Sequence, residues 1–294
     1  MQEEVKMKYE SLESLCCPVC KGELSYKGKI ENGTIRKRSL YCKGCGRDFP
    51  VTEGILRFAA PEELVGINRP IEKMYKRIAR WYDSWLIKLG SQAFGGWEQM
   101  RRDYLDRLEI KDGSKILEVG IGTGANLPYI IGYSPGVKLY GLDFSFEMLR
   151  QCIKNINKWG IQIDLFQGLA EKLPFKDKFF DVVFHMGGIN LFTGKREAIE
   201  EMVRVAKPGT RIVIADERGG SYRQIKIFSR IGLESLDERL FRFLGGLFFG
   251  REFVENLLKF DEKEMLNFVP EGMLEVKFDY IWKGGGYRLE FRKP

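Results

Sequence analysis

The 294-residue chain has a single histidine, His185, and only one cysteine, Cys152, beyond residue 45. With so little histidine, a cysteine–histidine zinc finger cannot form, and the His-x-Glu partner of deaminase zinc chemistry is missing. No apolar run reaches the ~18 residues needed to cross a bilayer. No basic-then-apolar leader begins the chain, so a cytoplasmic location is expected. A dense polybasic patch is also lacking, because the formal net charge of +7 is spread thinly along the chain. That spread argues against a nucleic-acid face, which would gather Lys and Arg on one stripe. Apolar residues make up 44% of the chain, enough for one large α/β domain and a smaller module.

The remaining cysteines crowd the front. Cys17-Pro-Val-Cys20 and Cys42-Lys-Gly-Cys45 are two C-x2-C pairs with 21 residues between them. Each pair makes a tight turn that aims two sulfurs at one point, and two such turns complete a tetrahedral thiolate site for Zn2+. A redox CxxC fits less well, since two matched pairs stand outside any thioredoxin-like strand–helix context. Disulfides are disfavoured in a reducing compartment. A closed four-thiolate site leaves no position for water, so the zinc is expected to be structural. It would stabilise a module of ~50 residues too small to bury much core alone. Cys16 is read as a small apolar residue rather than a spare ligand.

The most informative stretch is Lys115-Ile-Leu-Glu-Val-Gly-Ile-Gly-Thr-Gly-Ala125. It describes a buried strand halted by Gly120, Gly122 and Gly124, with a helix starting near Pro128 and a second strand over 137–142 ending at Asp143. Glycine there would let the backbone touch a ligand, and loop amides would offer it donors. Ser145 suits an N-cap and Glu147 a first helical turn. Further strands are expected over 161–166, 181–184 and 211–215. Ile199, Met202, Val203 and Ala206 mark one helix face, and Lys207-Pro208-Gly209 ends that helix. A closing antiparallel hairpin is expected over 275–282 and 287–292. Residues 71–108 read as helical, divided at Gly95-Gly96. Strands alternating with helices imply an α/β fold with a largely parallel sheet.

The glycine loop alone leaves the ligand open, since Gly120, Gly122 and Ala125 also satisfy a dinucleotide fingerprint. Three features favour S-adenosylmethionine. Glu118 stands just ahead of the glycines, where it can hold a positively charged amino group. A Lys-Pro-Gly turn leads into the fifth strand, and Gly168-Leu-Ala-Glu-Lys-Leu-Pro-Phe175 follows the third. Together these residues resemble the class I, seven-stranded S-adenosylmethionine-dependent methyltransferases over roughly 75–217. The likeness is to the small-molecule branch, which includes ubiquinone/menaquinone C-methyltransferases and phosphatidylethanolamine N-methyltransferases. Residues 41–58 likewise resemble zinc ribbons attached to methyltransferases, and small ribbon proteins that activate them.

The resemblance implies a doubly wound, Rossmann-like sheet with Gly120, Gly122 and Gly124 facing the methionine part and Asp143 the ribose. Phe144 would lie against adenine, and Ala170 and Glu171 at its edge. Tyr82, within Trp81-Tyr82-Asp83, would lie over the cofactor. Leu169 departs from the acid that many relatives carry there. The expected division is a ribbon over 1–60, a linker with helices over 61–110, and a methyltransferase domain over 111–294. An apolar, aromatic-rich insertion over 218–272 reads either as core packing or as a lid admitting a lipid-like acceptor, with peripheral membrane contact as a further expectation. His185, at the carboxyl end of the fourth strand, is a candidate base and cofactor neighbour; the alternative is a packed histidine orienting Met186-Gly187-Gly188. Asn190 is a second candidate for acceptor contacts.

A small hydrophobic molecule is the first expected acceptor. RNA is the second, because a ribbon precedes this fold in 23S rRNA guanine methyltransferases, and Arg36-Lys37-Arg38 would then touch phosphate. A non-enzymatic, cofactor-binding subunit is the third reading.

Overall fold

The computed structural model describes residues 7–26, 34–35, 39–59, 72–76, 79, 91–218, 239, 242–243, 246, 254–255 and 261–294. Tyr82, the Arg36-Lys37-Arg38 run and most of the 218–272 insertion lie outside these residues.

The front of the chain makes short strands: β1 (Met7–Lys8), β2 (Leu24–Tyr26), β3 (Thr34–Ile35), β4 (Ser39–Cys42), β5 (Asp48–Thr52) and β6 (Ile55–Arg57). Then come α1 (Trp97–Leu105), β7 (Lys115–Val119), α2 (Leu127–Tyr133), β8 (Lys138–Asp143), α3 (Phe146–Trp159), β9 (Asp164–Gln167) and β10 (Val182–Met186). The chain closes with α4 (Lys195–Val205), β11 (Arg211–Glu217), α5 (Glu262–Asn267), β12 (Leu274–Ile281) and β13 (Gly286–Arg292).

One sheet runs β12-β13-β11-β10-β7-β8-β9-β6-β5-β4-β2. Strands β9, β8, β7, β10 and β11 pair in parallel, and β13 inserts antiparallel between β11 and β12. The chain order reverses between β8 and β10 on either side of β7. Such a switch point opens a crevice at the carboxyl ends of the strands, where ligands bind.

Local chemistry explains these elements. Ser145 caps α3 by accepting from the Met148 amide, with Glu147 in the first turn. Gly160 ends α3 in the left-handed region. The expected strand at 161–166 begins only at Asp164, because the Ile161 amide donates back to Ile156 and completes the helix end. On α4 the buried residues are Ala198, Ile199, Met202 and Val205, and Val203 is only partly buried. The final hairpin forms as expected, with a short 3-10 turn at Trp282–Gly284 between its strands.

Alternation places the core on both sheet faces. Leu117, Val119, Val183, Ile212 and Ile214 join one cluster; Ile116, Val182, Phe184, Val213 and Ala215 join the other. The front module belongs to the same body. Its last strand, β6, pairs in parallel with β9, which places Leu56 in the first cluster and Ile55 in the second. Leu15 bridges Phe175, Ser11 hydrogen-bonds Asp164, and Phe58 packs between Phe49 and Phe166. Without these residues β9 would be an open edge, a liability that proteins normally cover.

Phe58→Ala is therefore expected to cost about 3 kcal/mol and to lower a single cooperative transition. Chemical denaturation followed by far-UV circular dichroism checks this; a separate early transition with the main one unmoved would contradict it.

Candidate active site

The crevice at the switch point is a small cleft lined by Gly120, Leu142, Asp143, Phe144, Gly168, Leu169, Ala170, Glu171 and Phe192. Five of the sequence-derived candidates thus share one wall system: Gly120, Asp143, Phe144, Ala170 and Glu171. Glu118, Gly122, Gly124 and His185 stand behind it. Leu142, Gly168, Leu169 and Phe192 were not singled out as contacts. They are apolar or small residues at strand ends, and only the folded register reveals them.

Asp143, at the end of β8, organises the loop. One carboxylate oxygen accepts from the Gly122 amide and the other from the Ser145 amide, both at 2.8 Å. Burial raises its pKa to about 6, while these backbone donors pull it down. Each oxygen retains lone-pair capacity for further donors. The amides of Gly120 and Ile121 donate to the Leu142 carbonyl, and that of Gly124 to Ile121. The expectation of free loop amides is thus corrected at Gly120, Ile121, Gly122 and Gly124, which are committed within the protein. A pyrophosphate cradle needs such amides, so the loop is poorly suited to a dinucleotide.

The reason for glycine is also refined. Gly120 has φ +73, and a Cβ there would stand 2.9 Å from His185 Cε1. Gly124 has φ +76, and its Cβ would stand 2.8 Å from Cys152 Sγ. The absent side chains make room for protein behind the loop, while the Gly120 backbone forms the cleft wall.

Glu118 is buried at the end of β7, 3% exposed. Its Oε1 accepts from Asn126 Nδ2 at 2.5 Å, and the Asn126 carbonyl oxygen accepts from the Tyr104 hydroxyl at 2.6 Å. Its Oε2 finds no hydrogen-bond partner among the described residues. Burial pushes the carboxyl pKa up to about 8, against the pull of Asn126 and of the buried Arg101. Arg101 stacks on Trp97, with its guanidinium 3.6 Å from the ring centre. Tyr104 and Arg101 escaped sequence reasoning, although two polar side chains three residues apart on the buried side of α1 were a signal.

His185 is fully buried in β10. Its Nδ1 lies 2.6 Å from the Val119 carbonyl, which can only accept, so Nδ1 carries the hydrogen and Nε2 is the bare nitrogen of the neutral ring. Nε2 has no partner among the described residues. Burial lowers the imidazole pKa, with Asp216 acting in the opposite direction. The ring lies 5.0 Å from that of Phe192. Asn190 is engaged at both ends, donating to the Glu217 carbonyl and accepting from the Tyr287 hydroxyl. Glu171 accepts from the Gly194 amide. The Tyr75 ring lies 6.0 Å from that of Phe144, centre to centre and tilted.

In the front module, Cys17, Cys20, Cys42 and Cys45 bring four sulfurs within 4.8 Å of one another. Cys17 and Cys45 are 3.6 Å apart, and Cys20 and Cys42 are 3.4 Å apart. Zinc–sulfur bonds of ~2.3 Å in a tetrahedron separate sulfurs by about 3.8 Å, so the donor set fits that metal. Cys16 stands outside the cluster, with its thiol donating to the Phe175 carbonyl.

Residues 117–214 match the profile of a methyltransferase domain, and residues 8–54 that of Trm112p-like proteins. The chain thus carries a methyltransferase domain with the class I, S-adenosylmethionine-dependent fold, preceded by a Trm112-like segment. Within that class it is 37% identical over 125 residues to a demethylmenaquinone methyltransferase of Paenarthrobacter aurescens, covering 42% of this chain and 47% of the relative. It is 36% identical over 106 residues to a phosphatidylethanolamine N-methyltransferase of Cereibacter sphaeroides, covering 35% of this chain and 51% of the relative. The chain thus spans about half the length of these two relatives. The fold also matches a chain from the complex between the Haloferax volcanii Trm112 methyltransferase activator and a putative methyltransferase. That match has a TM-score of 0.52 and 16% identity, covering 76% of this chain and 97% of the other.

The pKa values of Asp143 and Glu118 are both raised, so each favours the unliganded fold below its ordinary value. That contribution is lost as pH rises through about 6 for Asp143 and about 8 for Glu118. Hydroxyl donors to Asp143 and a cation beside Glu118 favour the ionised carboxylates and offset the loss. Calorimetric affinity for S-adenosylmethionine is therefore expected to strengthen from pH 5.5 to pH 8, with the upper part of the rise flattened in Glu118→Gln. A flat profile in the unaltered protein would contradict this.

Proposed function

We propose that the protein transfers a methyl group from S-adenosylmethionine to a small, hydrophobic or lipid-like acceptor. The observation that carries this reading is a side-chain-free bend at Gly120 opening onto Asp143 and Phe144, in a cleft also walled by Leu142, Phe192 and residues 168–171. On this reading Asp143 accepts the ribose hydroxyls, the orphaned Glu118 oxygen balances the amino-acid ammonium, and Phe144 lies against the base. Ala170 and Glu171 border it, and Tyr82 covers the cofactor from the 61–110 segment. Bound S-adenosylmethionine supplies an electrophilic methyl on a sulfonium, and the leaving thioether departs neutral. The protein's share is to align the acceptor in line and exclude water, which can lower a barrier by roughly 7–11 kcal/mol. We favour His185 as the floor that holds the Gly120 turn rather than as the base, since its ring is sealed behind Gly120 and Phe192.

The names of the quinone and phospholipid methyltransferases among the relatives support a hydrophobic acceptor. RNA is the second reading, favoured by the Trm112p-like match. Against it, three of the described ribbon cations, Lys21, Lys43 and Arg57, are engaged within the protein. No helix among the described residues is long and apolar enough to cross a membrane, so contact with a lipid acceptor would be peripheral. The ribbon, residues 1–60, would carry a structural Zn2+ on its four cysteines, ahead of the donor-binding domain at 111–294.

Two outcomes are expected. With methyl-labelled donor and fractionated extracts, label appears in the lipid or small-metabolite pool; a labelled ribosomal RNA band would overturn the reading. Cys42→Ser abolishes stoichiometric zinc by elemental analysis and lowers the melting temperature of the whole chain, because Cys17 and Cys42 share the apolar cluster of Leu117 and Val119. Full zinc content in that variant would rule out the four-thiolate site.

A further inference from the structure

Three residues stand abreast across the sheet: Arg57 on β6, Gln167 on β9 and Asp143 on β8. Their side chains continue the row. Arg57 Nε donates to Gln167 Oε1 at 2.6 Å, and Gln167 Nε2 donates to the Phe144 carbonyl at 3.0 Å. Gln167 is 2% exposed, and its partners Arg57 and Phe144 are half-buried, so water competes only weakly for these bonds. The main chain runs in step: the Phe58 amide donates to the Gln167 carbonyl at 2.7 Å, and the Gly168 amide to the Asp143 carbonyl at 3.0 Å. The Arg57 guanidinium also lies over the Phe146 ring, 4.8 Å from its centre, at the start of α3. An amide can hold both partners only in one orientation, because its oxygen must face Arg57 for its nitrogen to face Phe144. Arg57 thereby sets the amide, and the amide holds the Asp143–Phe144 turn that walls the cleft.

We propose that Arg57 of the N-terminal module is a positioning residue for the donor site, acting through Gln167 on the turn that carries Asp143 and Phe144. The proposal rests on the donor-binding reading above. It makes the front module part of the donor site rather than a separate appendage, since the module's last strand supplies the outermost member of the row.

Isothermal titration of the full-length, metal-loaded chain with S-adenosylmethionine tests it. Arg57→Met keeps the strand and the cover over Phe146 but removes the donor. Gln167→Glu keeps the partner of Arg57 but replaces the donor to Phe144 with a carboxylate oxygen. Both are expected to weaken donor binding by about fivefold or more. The Gln167→Glu protein should retain its melting temperature, because its ion pair with Arg57 replaces a charged–neutral hydrogen bond. The double variant should be no weaker than the sum of the singles and measurably non-additive. Lys43→Ala, which breaks only an exposed pair with Glu23, should bind as the unaltered protein does. Donor affinity unchanged in both Arg57→Met and Gln167→Glu would overturn the proposal, whatever their stability. Absence of binding by the unaltered chain would instead remove the donor reading itself, and the proposal with it.

Discussion

The carboxylate of Asp143 ties three parts of the molecule together. It accepts one amide from the glycine loop after β7 and another from the start of α3, so the end of β8 fixes both walls of the crevice at once. Neither the loop nor the helix start could keep its shape alone, because a turn with several residues at positive φ has few other constraints. The cost is a carboxyl group held out of water, visible in its raised pKa.

Around that tie the polar groups are arranged in chains rather than pairs. Tyr104, Asn126 and Glu118 form one, running from α1 to the last turn of β7. Arg57, Gln167 and the Phe144 carbonyl form another, running in from the N-terminal module. The first chain is buried and the second is centred on the buried Gln167, so each fixes an orientation that solvent would otherwise randomise. The first leaves one acidic oxygen, Oε2 of Glu118, without a hydrogen-bond partner among the described residues.

The N-terminal module has two physical roles that its size alone does not suggest. It closes the β9 edge through parallel pairing with β6, and it contributes Leu40, Phe49 and Leu56 to the cluster under the parallel strands. A ribbon of this length buries little by itself. Its four sulfurs and its shared core are therefore complementary sources of order.

The alternation of strands and helices, the antiparallel last hairpin, the cap at Ser145 and the four-cysteine spacing were all legible in the chain. They depend on hydrophobic period, turn chemistry and metal-ligand geometry, each of which acts over a few residues. The cluster of Gly120, Asp143, Phe144, Ala170 and Glu171 was legible too, through the resemblance carried by the segments that follow three successive strands. What tertiary structure alone decided depends on residues far apart in sequence. Only folding brought His185 behind Gly120, committed the loop amides to Leu142 and Asp143, and paired Arg57 with Gln167 across 110 positions. Such contacts follow from sheet register and burial, which no local pattern carries. A side chain's neighbours across a sheet are set by which strands pair, and that is settled by the whole core at once.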